Sequence, residues 1–306
     1  MQLVDMGHFG KVAWNGLKTW RKLKFGPVSM LFKFERSVFV ARNNGRRTAQ
    51  RRREDAVAAA APLPREQSIR KQRGHAVIVG VGPGLGYALA DLLAADGFEV
   101  ILVSRNAERL DQQVAAIEAR GGRAIAYGCD ATMETSVGAL FKLIETNHGV
   151  PELVVYSLQS FGPGKVLDID LAAFEDGIKH NCVGSFLVAR AAGRAMLPLH
   201  RGSIILIGST SAMIGREGHL NLAVGKFGQR ALSQVMAREL WPEGIHVAHV
   251  VIDADIIEQG ATEDGEVHAY PEDIAKSILH LHDQPKSAWS SELDIRPHNE
   301  KFWEHC

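Results

Sequence analysis

The chain has 306 residues, 46% of them hydrophobic, and its 35 basic and 35 acidic residues leave it formally neutral. This apolar content is within the range of globular proteins and permits a full hydrophobic core. Cys129, Cys182 and Cys306 form neither a disulfide framework nor a CxxC metal pattern, and no apolar run reaches the roughly 18 residues of a membrane span, so we expect no transmembrane segment and a reducing, cytoplasmic location.

The charge is unevenly distributed along the chain. Residues 1–74 contain 17 Lys/Arg and 5 Asp/Glu, a net charge of +12, whereas residues 75–306 contain 18 and 30, a net charge of −12. We therefore expect a basic N-terminal extension at 1–74 and a single globular domain at 75–306. The extension is compatible with a solvated tail, with sequence upstream of the true start, with a targeting segment, or with an arm that docks on a membrane or a partner. A charge run alone has no base-reading geometry, so we expect no specific nucleic-acid binding.

From residue 75 onward, short apolar strands alternate with amphipathic helices. Strands are predicted at 76–80, 99–103, 124–127, 153–156, 203–207, 246–251 and 292–295, and helices at 88–93, 107–120, 135–148, 171–196, 220–240 and 271–281. Continuous apolar strands separated by helices predict a parallel sheet covered on both faces. The predicted fold class is therefore α/β, a doubly wound parallel seven-stranded sheet of the Rossmann type.

A glycine-rich loop joins the first strand to the first helix. It runs from Gly80 to Gly86 with the sequence GVGPGLG. Its glycines permit a sharp turn and a close approach of the backbone to phosphate groups, while the helix N-terminus supplies amide donors and a positive dipole end. Because the loop stands between a strand and a helix at the start of an alternating βα pattern, it predicts a dinucleotide-binding site rather than a plain tight turn.

The end of the second strand bears on the choice of cofactor. NAD-binding folds usually place an acidic residue there for the ribose 2′-hydroxyl, but this strand ends with Ser104, Arg105 and Asn106. Arg105 can pair with a 2′-phosphate and stack on adenine, or it is a solvent-facing arginine at a helix start. We expect NADP(H) to be preferred, with NAD(H) possible. Asp130, after the third strand, is placed to accept a bond from the adenine amino group or to cap a helix.

Residues 75–306 resemble the short-chain dehydrogenase/reductase family in four ordered motifs. The glycine loop is similar to TGxxxGxG, with Val79 at the threonine position. The segment 180–184 resembles the helix that carries the family's asparagine, here Asn181, and the segment 202–209 resembles the strand that delivers its serine, here Ser209. Lys226 and the helix around it resemble the lysine-bearing helix.

The sequence departs from the family pattern at the YxxxK motif, because Leu222 stands four residues before Lys226. NNAG after the fourth strand is replaced by residues 156–159 (YSLQ), and Pro-Gly after the sixth strand by residues 253–254 (DA). The segments 247–253, 284–289 and 292–297 resemble a divergent bacterial branch of the family.

The resemblance implies a mechanism with one part missing. In the family, Ser209 would orient a carbonyl, Lys226 would bind the nicotinamide ribose, and Asn181 would hold a water in a proton relay. Leu222 can neither donate nor accept a proton, and loss of a general acid costs on the order of 10²–10⁴ in rate. Three substitutes remain open: His219, Glu217, or Lys226 acting with Ser209 through water.

Two functions follow. The first is an NADP(H)-dependent oxidoreductase that acts on a small-molecule carbonyl or alcohol with an unusual proton donor; the second is a catalytically silent NADP(H)-binding sensor or scaffold. The resemblance also implies a homodimer or homotetramer that packs through the helices at 171–196 and 220–240. The predicted cofactor-binding residues are Gly80, Gly82, Gly84, Leu85, Gly86, Ser104, Arg105, Asn106, Asp130, Ala131, Ser157 and Lys226.

We predict no metal site from the histidine pairs. His280 and His282 are two apart on a helix and so point in different directions. His246 and His249 fall on opposite faces of a strand, where packed histidines are expected.

Overall fold

The computed structural model describes residues 72–257 and 268–300 of the chain. Residues 1–71 lie outside the described range, so the expectations for the basic extension stay predictions.

The described domain is built on one parallel sheet. Its strands are β1 (His75–Val79), β2 (Glu99–Ser104), β3 (Arg123–Gly128), β4 (Leu153–Tyr156), β5 (Ser203–Ile207), β6 (His246–Ile252) and, after the short pair β7 (Asp255–Ile256) and β8 (His268–Ala269), β9 (Glu292–Ile295). The sheet order is β3-β2-β1-β4-β5-β6-β9 with every neighbouring pair parallel. The predicted doubly wound seven-stranded sheet is confirmed. The strand order reverses between β1 and β4, and ligands of such folds bind outside the carboxyl ends of the strands at this point.

Seven helices cover the sheet within the described residues. They are α1 (Leu85–Ala95), α2 (Asp111–Ala119), α3 (Glu134–Asn147), α4 (Leu171–Ile178), α5 (Gly184–Met196), α6 (Leu220–Leu240) and α7 (Pro271–His282). The helix predicted at 107–120 is divided, because Ala107–Leu110 is a 3₁₀ turn that Asn106 caps. The helix predicted at 171–196 is also interrupted, by the π-helical turn Lys179–Val183 between α4 and α5. Turns of this kind are frequent at functional sites.

The hydrophobic core lies on both faces of the sheet. Ala76 and Ile78 pack on one side with α1 and α7, and Val77 and Val79 pack on the other with α3 and α5. Each buried Val, Ile or Leu side chain stabilises the fold by about 1.5–3 kcal/mol. The continuous apolar strands are therefore explained by burial on two faces.

One helical stretch, Leu171–Leu199, is long and apolar enough by composition to cross a membrane. Half of its most apolar 18-residue window is buried inside the domain. Burial of this kind is typical of a core helix.

Candidate active site

A cleft of about 430 Å³ opens beyond the carboxyl ends of β5 and β6. Ser209, His219 and Leu222 line it together with Phe161 and Asp253. The cleft lies at the carboxyl edge of the sheet, the edge on which doubly wound folds bind their ligands. The predicted serine, one of the candidate proton donors and the leucine at the tyrosine position thus meet in one place.

Ser209 follows β5 and begins the 3₁₀ turn Thr210–Ala212. Its backbone is extended, and its Oγ atom is hidden from solvent without a hydrogen-bond partner among the described residues. A buried hydroxyl without a partner costs free energy. The Ser209 hydroxyl therefore has unused hydrogen-bonding capacity.

His219 stands at the start of α6, one helical turn before Leu222. Its Nδ1 atom lies 2.9 Å from the carbonyl oxygen of Glu217, and its ring stacks on Phe161 with centroids 4.8 Å apart. Because a carbonyl oxygen only accepts, Nδ1 carries a proton in this contact. Nε2 is then the ring atom that can exchange a proton with a ligand.

The other proposed donor, Glu217, points elsewhere. It lines an adjoining cleft of about 450 Å³ with Leu167 and Leu220, and Arg216 borders both clefts. The Glu217 side chain is 82% exposed and lies 3.5 Å from Lys165 Nζ. The geometry therefore favours His219 over Glu217.

Lys226 lies one turn after Leu222 on α6 but is fully enclosed. Its Nζ atom donates to the carbonyl oxygen of Ile207 at 2.7 Å and to Oε1 of Gln229 at 3.3 Å. The residue is 1% exposed, and burial lowers the pKa of its amine to about 7. Lys226 does not line the cleft beside Ser209 as described, so the expected contact with a nicotinamide ribose, and proton transfer from Lys226 through water, stay predictions.

Asn181 occupies the middle of the π-helical turn and is fully buried. Its Oδ1 accepts from Ser160 N at 3.1 Å, and its Nδ2 donates to Ser160 O at 2.8 Å. A Cβ atom on Gly225 would lie 2.6 Å from the Asn181 Cβ, so α6 approaches this turn closely. The side chain of Asn181 fixes the loop after β4; its place in a proton relay stays a prediction.

The glycine loop has the backbone that the sequence predicted. Gly80 has φ of +96°, and a Cβ atom on Gly86 would lie 2.9 Å from Val81 Cα. By contrast, nothing lies within 4 Å of a Cβ atom built on Gly82 or Gly84. The loop thus leaves open space beside the N-terminus of α1, where the first amides have no partner within the helix. This space fits a phosphate group.

The three residues at the end of β2 differ in what their side chains contact. Ser104 Oγ donates to Asn106 O at 2.6 Å, and Asn106 Oδ1 accepts from Glu108 N at 3.0 Å, so both side chains are engaged in the local turn. The expected cofactor contacts from the side chains of Ser104 and Asn106 have to compete with these bonds. Arg105 between them is exposed.

Asp130 is not a helix cap, which corrects one of its two predicted functions. The N-cap of α3 is Met133, and Asp130 Oδ1 instead accepts from the hydroxyl and amide of Thr132 at 2.7 and 2.9 Å. These bonds, with the hydroxyl bond first, lower the pKa of Asp130 against the opposing effect of burial, and the charges of His180 and then Arg105 lower it further.

The remaining predicted cofactor residues, Leu85, Ala131 and Ser157, lie at the carboxyl edge of the sheet. Ser157 follows β4 and its amide donates to Val79 O at 2.8 Å. Leu85 and Ala131 have buried side chains, so any contact they make with a cofactor has to use their backbones.

Sequence reasoning missed two polar clusters beside this site. Asp253 is buried between the hydroxyl of Thr210 and the guanidinium of Arg296, with Arg296 Nη1 at 2.5 Å. Behind Lys226, the buried His249 lies 3.3 Å from Glu292 Oε2 through Nδ1, while its Nε2 has no partner among the described residues. Burial lowers the pKa of His249 to about 4. In the sequence, the first cluster was indicated only by Asp253, which stands where the family usually has proline after the sixth strand.

Comparison with known proteins shows the family of this chain. A family model described as short chain dehydrogenase matches residues 74–254. The chain belongs to the short-chain dehydrogenase family. Members of this family bind a nicotinamide cofactor, and the relatives of this chain include oxidoreductases from several bacteria.

Among these relatives, sorbitol-6-phosphate 2-dehydrogenase of Escherichia coli (strain K12) is 34% identical over 180 residues, which cover 58% of this chain and 70% of that protein. An uncharacterized oxidoreductase of Staphylococcus aureus (strain USA300) is 27% identical over 225 residues, 72% of this chain and 96% of that protein.

Solved structures agree with the described fold. A short-chain dehydrogenase from Rhodopseudomonas palustris has a TM-score of 0.66 and 34% identity, over 74% of this chain and 99% of its own. A metagenomic short-chain oxidoreductase in complex with NADP has a TM-score of 0.65 and 25% identity, over 73% of this chain and 97% of its own. The predicted resemblance to short-chain dehydrogenases is confirmed.

Proposed function

We propose that this short-chain dehydrogenase is an NADP(H)-dependent oxidoreductase that acts on a carbonyl or alcohol in the cleft beside Ser209, with His219 as its proton donor. One observation carries the proposal: the unpartnered Oγ of Ser209, the ring of His219 and the apolar Leu222 share the wall of one cleft at the carboxyl end of the sheet. A polar pair beside an apolar surface suits a small polar group on a carbon skeleton.

The glycine loop supports nicotinamide dinucleotide binding. The open space at Gly82 and Gly84 fits a pyrophosphate on the N-terminus of α1. The exposed Arg105 supplies a planar cation for a 2′-phosphate, and the metagenomic relative was solved with NADP. When bound, the nicotinamide supplies or takes the hydride.

In this proposal, side chains of this protein orient the substrate oxygen and supply its proton. Ser209 Oγ donates to the carbonyl oxygen and orients it. His219, in its imidazolium form, gives the Nε2 proton to that oxygen as the alcohol forms, while the Nδ1 proton stays on Glu217 O at 2.9 Å. In the reverse direction, neutral Nε2 takes the hydroxyl proton. Leu222 excludes water from this face of the cleft because it is apolar and nearly buried.

Lys226 and Asn181 act as positioning residues in this proposal. Lys226 fixes the end of β5 through Ile207 O, and Asn181 fixes the loop after β4 through Ser160. Both hold segments that border the cleft, so each influences the reaction through geometry.

Assembly and location are part of the proposal. Several large apolar side chains on α5 and α6 are exposed, including Phe186, Val224 and Phe227. Their exposure supports the expected homodimer or homotetramer, since large exposed apolar surface marks interaction sites. A cytoplasmic location stays a prediction.

The test compares two variants of the full chain, His219→Gln and Glu217→Gln. NADPH binding is followed by nicotinamide fluorescence, and turnover by NADPH oxidation with a panel of ketones and aldehydes. We expect His219→Gln to lower kcat by about 10²–10⁴ with the NADPH dissociation constant unchanged, and Glu217→Gln to keep wild-type kcat. Full turnover in His219→Gln would exclude His219 as the donor.

Two further outcomes test the function itself. Tight NADPH binding without turnover on any substrate would contradict the oxidoreductase and point to the silent sensor or scaffold. A chain that does not bind NADPH or NADH would contradict both.

A further inference from the structure

At the amino-terminal edge of the sheet, away from the cleft, three metal-ligand side chains converge. They are His75, Glu99 and His148, and one ligand atom from each lies within 4.8 Å of the other two. His75 Nδ1 is 2.9 Å and His148 Nδ1 is 3.5 Å from the same carboxylate oxygen, Glu99 Oε2. A tetrahedral ion with bonds of about 2.0–2.2 Å holds its ligand atoms roughly 3.3–3.6 Å apart, so shifts of about 1 Å would admit one.

The backbone fixes this arrangement from three separate elements. His75 and Glu99 open β1 and β2 and are direct register partners in the parallel pair. Side chains in register on neighbouring strands project to the same face. His148 is the C-cap of α3, and its ring meets that of His75 edge-on with centroids 5.6 Å apart. Sites held by strands and helix ends are more rigid than sites on loops.

A fourth residue contacts one of the histidines. Tyr127 on β3 has its Oη atom 2.8 Å from His148 Nε2. Metal-binding histidines usually donate the N–H of their other ring nitrogen to such a partner. In the tautomer that donates Nε2–H to Tyr127, Nδ1 of His148 is bare and can bind an ion, and it is this atom that faces Glu99.

The other histidine also presents a nitrogen that the protein leaves without a hydrogen bond. His75 Nδ1 is hidden from solvent, and its close contact with Glu99 is not aligned as a hydrogen bond. The three side chains are 22%, 24% and 11% exposed for His75, Glu99 and His148, so an ion can enter from the edge. Arg123, the register partner of Glu99 on β3, is exposed.

We propose that His75, Glu99 and His148 bind a divalent transition-metal ion of the Zn²⁺ type, with water completing its coordination. Two imidazoles and one carboxylate suit Zn²⁺, whereas Mg²⁺ and Ca²⁺ take oxygen ligands. The ion joins β1, β2 and α3 directly after the basic extension, at the opposite end of β1 from the glycine loop. Its effect is on stability, and it is independent of the proposed dehydrogenase chemistry.

The experiment uses the full chain without a polyhistidine tag, stripped with a chelator and titrated with ZnCl₂ by calorimetry. We expect a saturable site of one Zn²⁺ per chain that Glu99→Gln and His148→Gln each weaken at least 10-fold. Tyr127→Phe, which keeps all three ligands, should weaken it about 10–100-fold. The matched control is His280→Gln, an exposed histidine on α7 that should leave Zn²⁺ binding unchanged.

Two additional measurements separate this site from other histidines and from loss of folding. Co²⁺ should give visible d–d absorption in the wild type and in His280→Gln but not in Glu99→Gln. Saturating Zn²⁺ should raise the melting temperature of the wild type and not that of Glu99→Gln, because an ion that binds the folded state stabilises it. Equal Zn²⁺ affinity in the wild type, Glu99→Gln and His148→Gln would overturn the proposal.

Discussion

The Nζ atom of Lys226 lies 2.7 Å from the carbonyl oxygen of Ile207, the last residue of β5 and two residues before Ser209. This bond ties α6 to the strand that delivers the cleft serine. Because Lys226 is 1% exposed, burial lowers the pKa of its amine from the ordinary 10.5 to about 7. A neutral amine still donates a hydrogen bond, so the tie persists when the charge is lost.

The buried amine predicts a pH dependence of stability. Between pH 7 and 10.5, an unfolded Lys226 binds a proton that the folded one does not, so the free energy of unfolding rises with pH. Lys226→Met removes this contribution. We expect the unfolding free energy of the wild type, relative to that of Lys226→Met, to increase from pH 7 to pH 10 in urea denaturation of the cofactor-free chain.

The control for this prediction is Lys142→Met, which removes an exposed lysine on α3. Its stability relative to the wild type should stay nearly constant over the same range. A constant difference for Lys226→Met as well would mean that the folded protein keeps Lys226 charged.

Arg105 provides a test of cofactor choice. A hydrogen bond to a charged group contributes about 1.5–3 kcal/mol, which corresponds to roughly 10–100-fold in affinity. Arg105→Ala should therefore raise the dissociation constant for NADPH by about 10–100-fold and leave that for NADH nearly unchanged. Arg109→Ala, an exposed arginine in the adjacent 3₁₀ turn, is the matched control. An equal loss of affinity for both cofactors would contradict recognition of the 2′-phosphate.

Much of the fold follows from the sequence because its strands are continuous apolar runs. All seven strands of the sheet were predicted, and α6 begins at Leu220 and ends at Leu240 as expected. The π-helical turn was not predicted, since one extra residue in a helix hardly alters its apolar pattern. At this turn Gly225 packs closely against Asn181. The two residues are on different helical segments, so a local sequence pattern does not indicate their contact.

The candidate site was predictable where its residues are close in sequence. His219 and Leu222 lie within one turn of α6, and both line the cleft with Ser209. Asp253 and Arg296 are 43 residues apart and meet only because β9 is placed beside β6. Pairings of this kind depend on sheet order, and the sequence pattern does not specify that order.

Two glycines on helices offer a paired test of packing. A Cβ atom on Gly184, at the start of α5, would collide with Oη of Tyr156, which donates to His180 O. Overpacking costs about 1–3 kcal/mol, so Gly184→Ala should lower the free energy of unfolding by about that amount. A Cβ atom on Gly138 in α3 meets nothing within 4 Å, and Gly138→Ala should raise it by about 0.5–1 kcal/mol.

Urea denaturation of both variants measures these changes. Gly184→Ala as stable as Gly138→Ala would show that Tyr156 can move without loss, and would contradict the predicted cost of overpacking.

The carboxylate of Glu152, directly before β4, predicts a loss of stability in acid. This pH dependence has a different origin from the one predicted for Lys226. Glu152 lies 3.2 Å from His282 Nε2 through Oε1, and its Oε2 accepts from Gly74 N at 3.0 Å. The bond with His282 lowers the pKa of Glu152 most, against the opposing effect of burial; the Gly74 amide and the charge of Arg73 add to it, and the pKa reaches about 2.

The sign of the effect follows from this lowered pKa. The stabilisation by Glu152 is fully present above its ordinary pKa of 4.5 and is lost as the pH falls toward 2, because the unfolded chain takes up the proton first. We therefore expect the unfolding free energy of the wild type, relative to that of Glu152→Gln, to be largest near pH 5 and to shrink at pH 4 and pH 3. Glu145→Gln, an exposed glutamate on α3, should show no such trend. If the difference between the wild type and Glu152→Gln is instead the same at pH 5 and pH 3, the carboxylate is not held ionised by His282, and the contact between the start of β4 and the end of α7 is weaker than described.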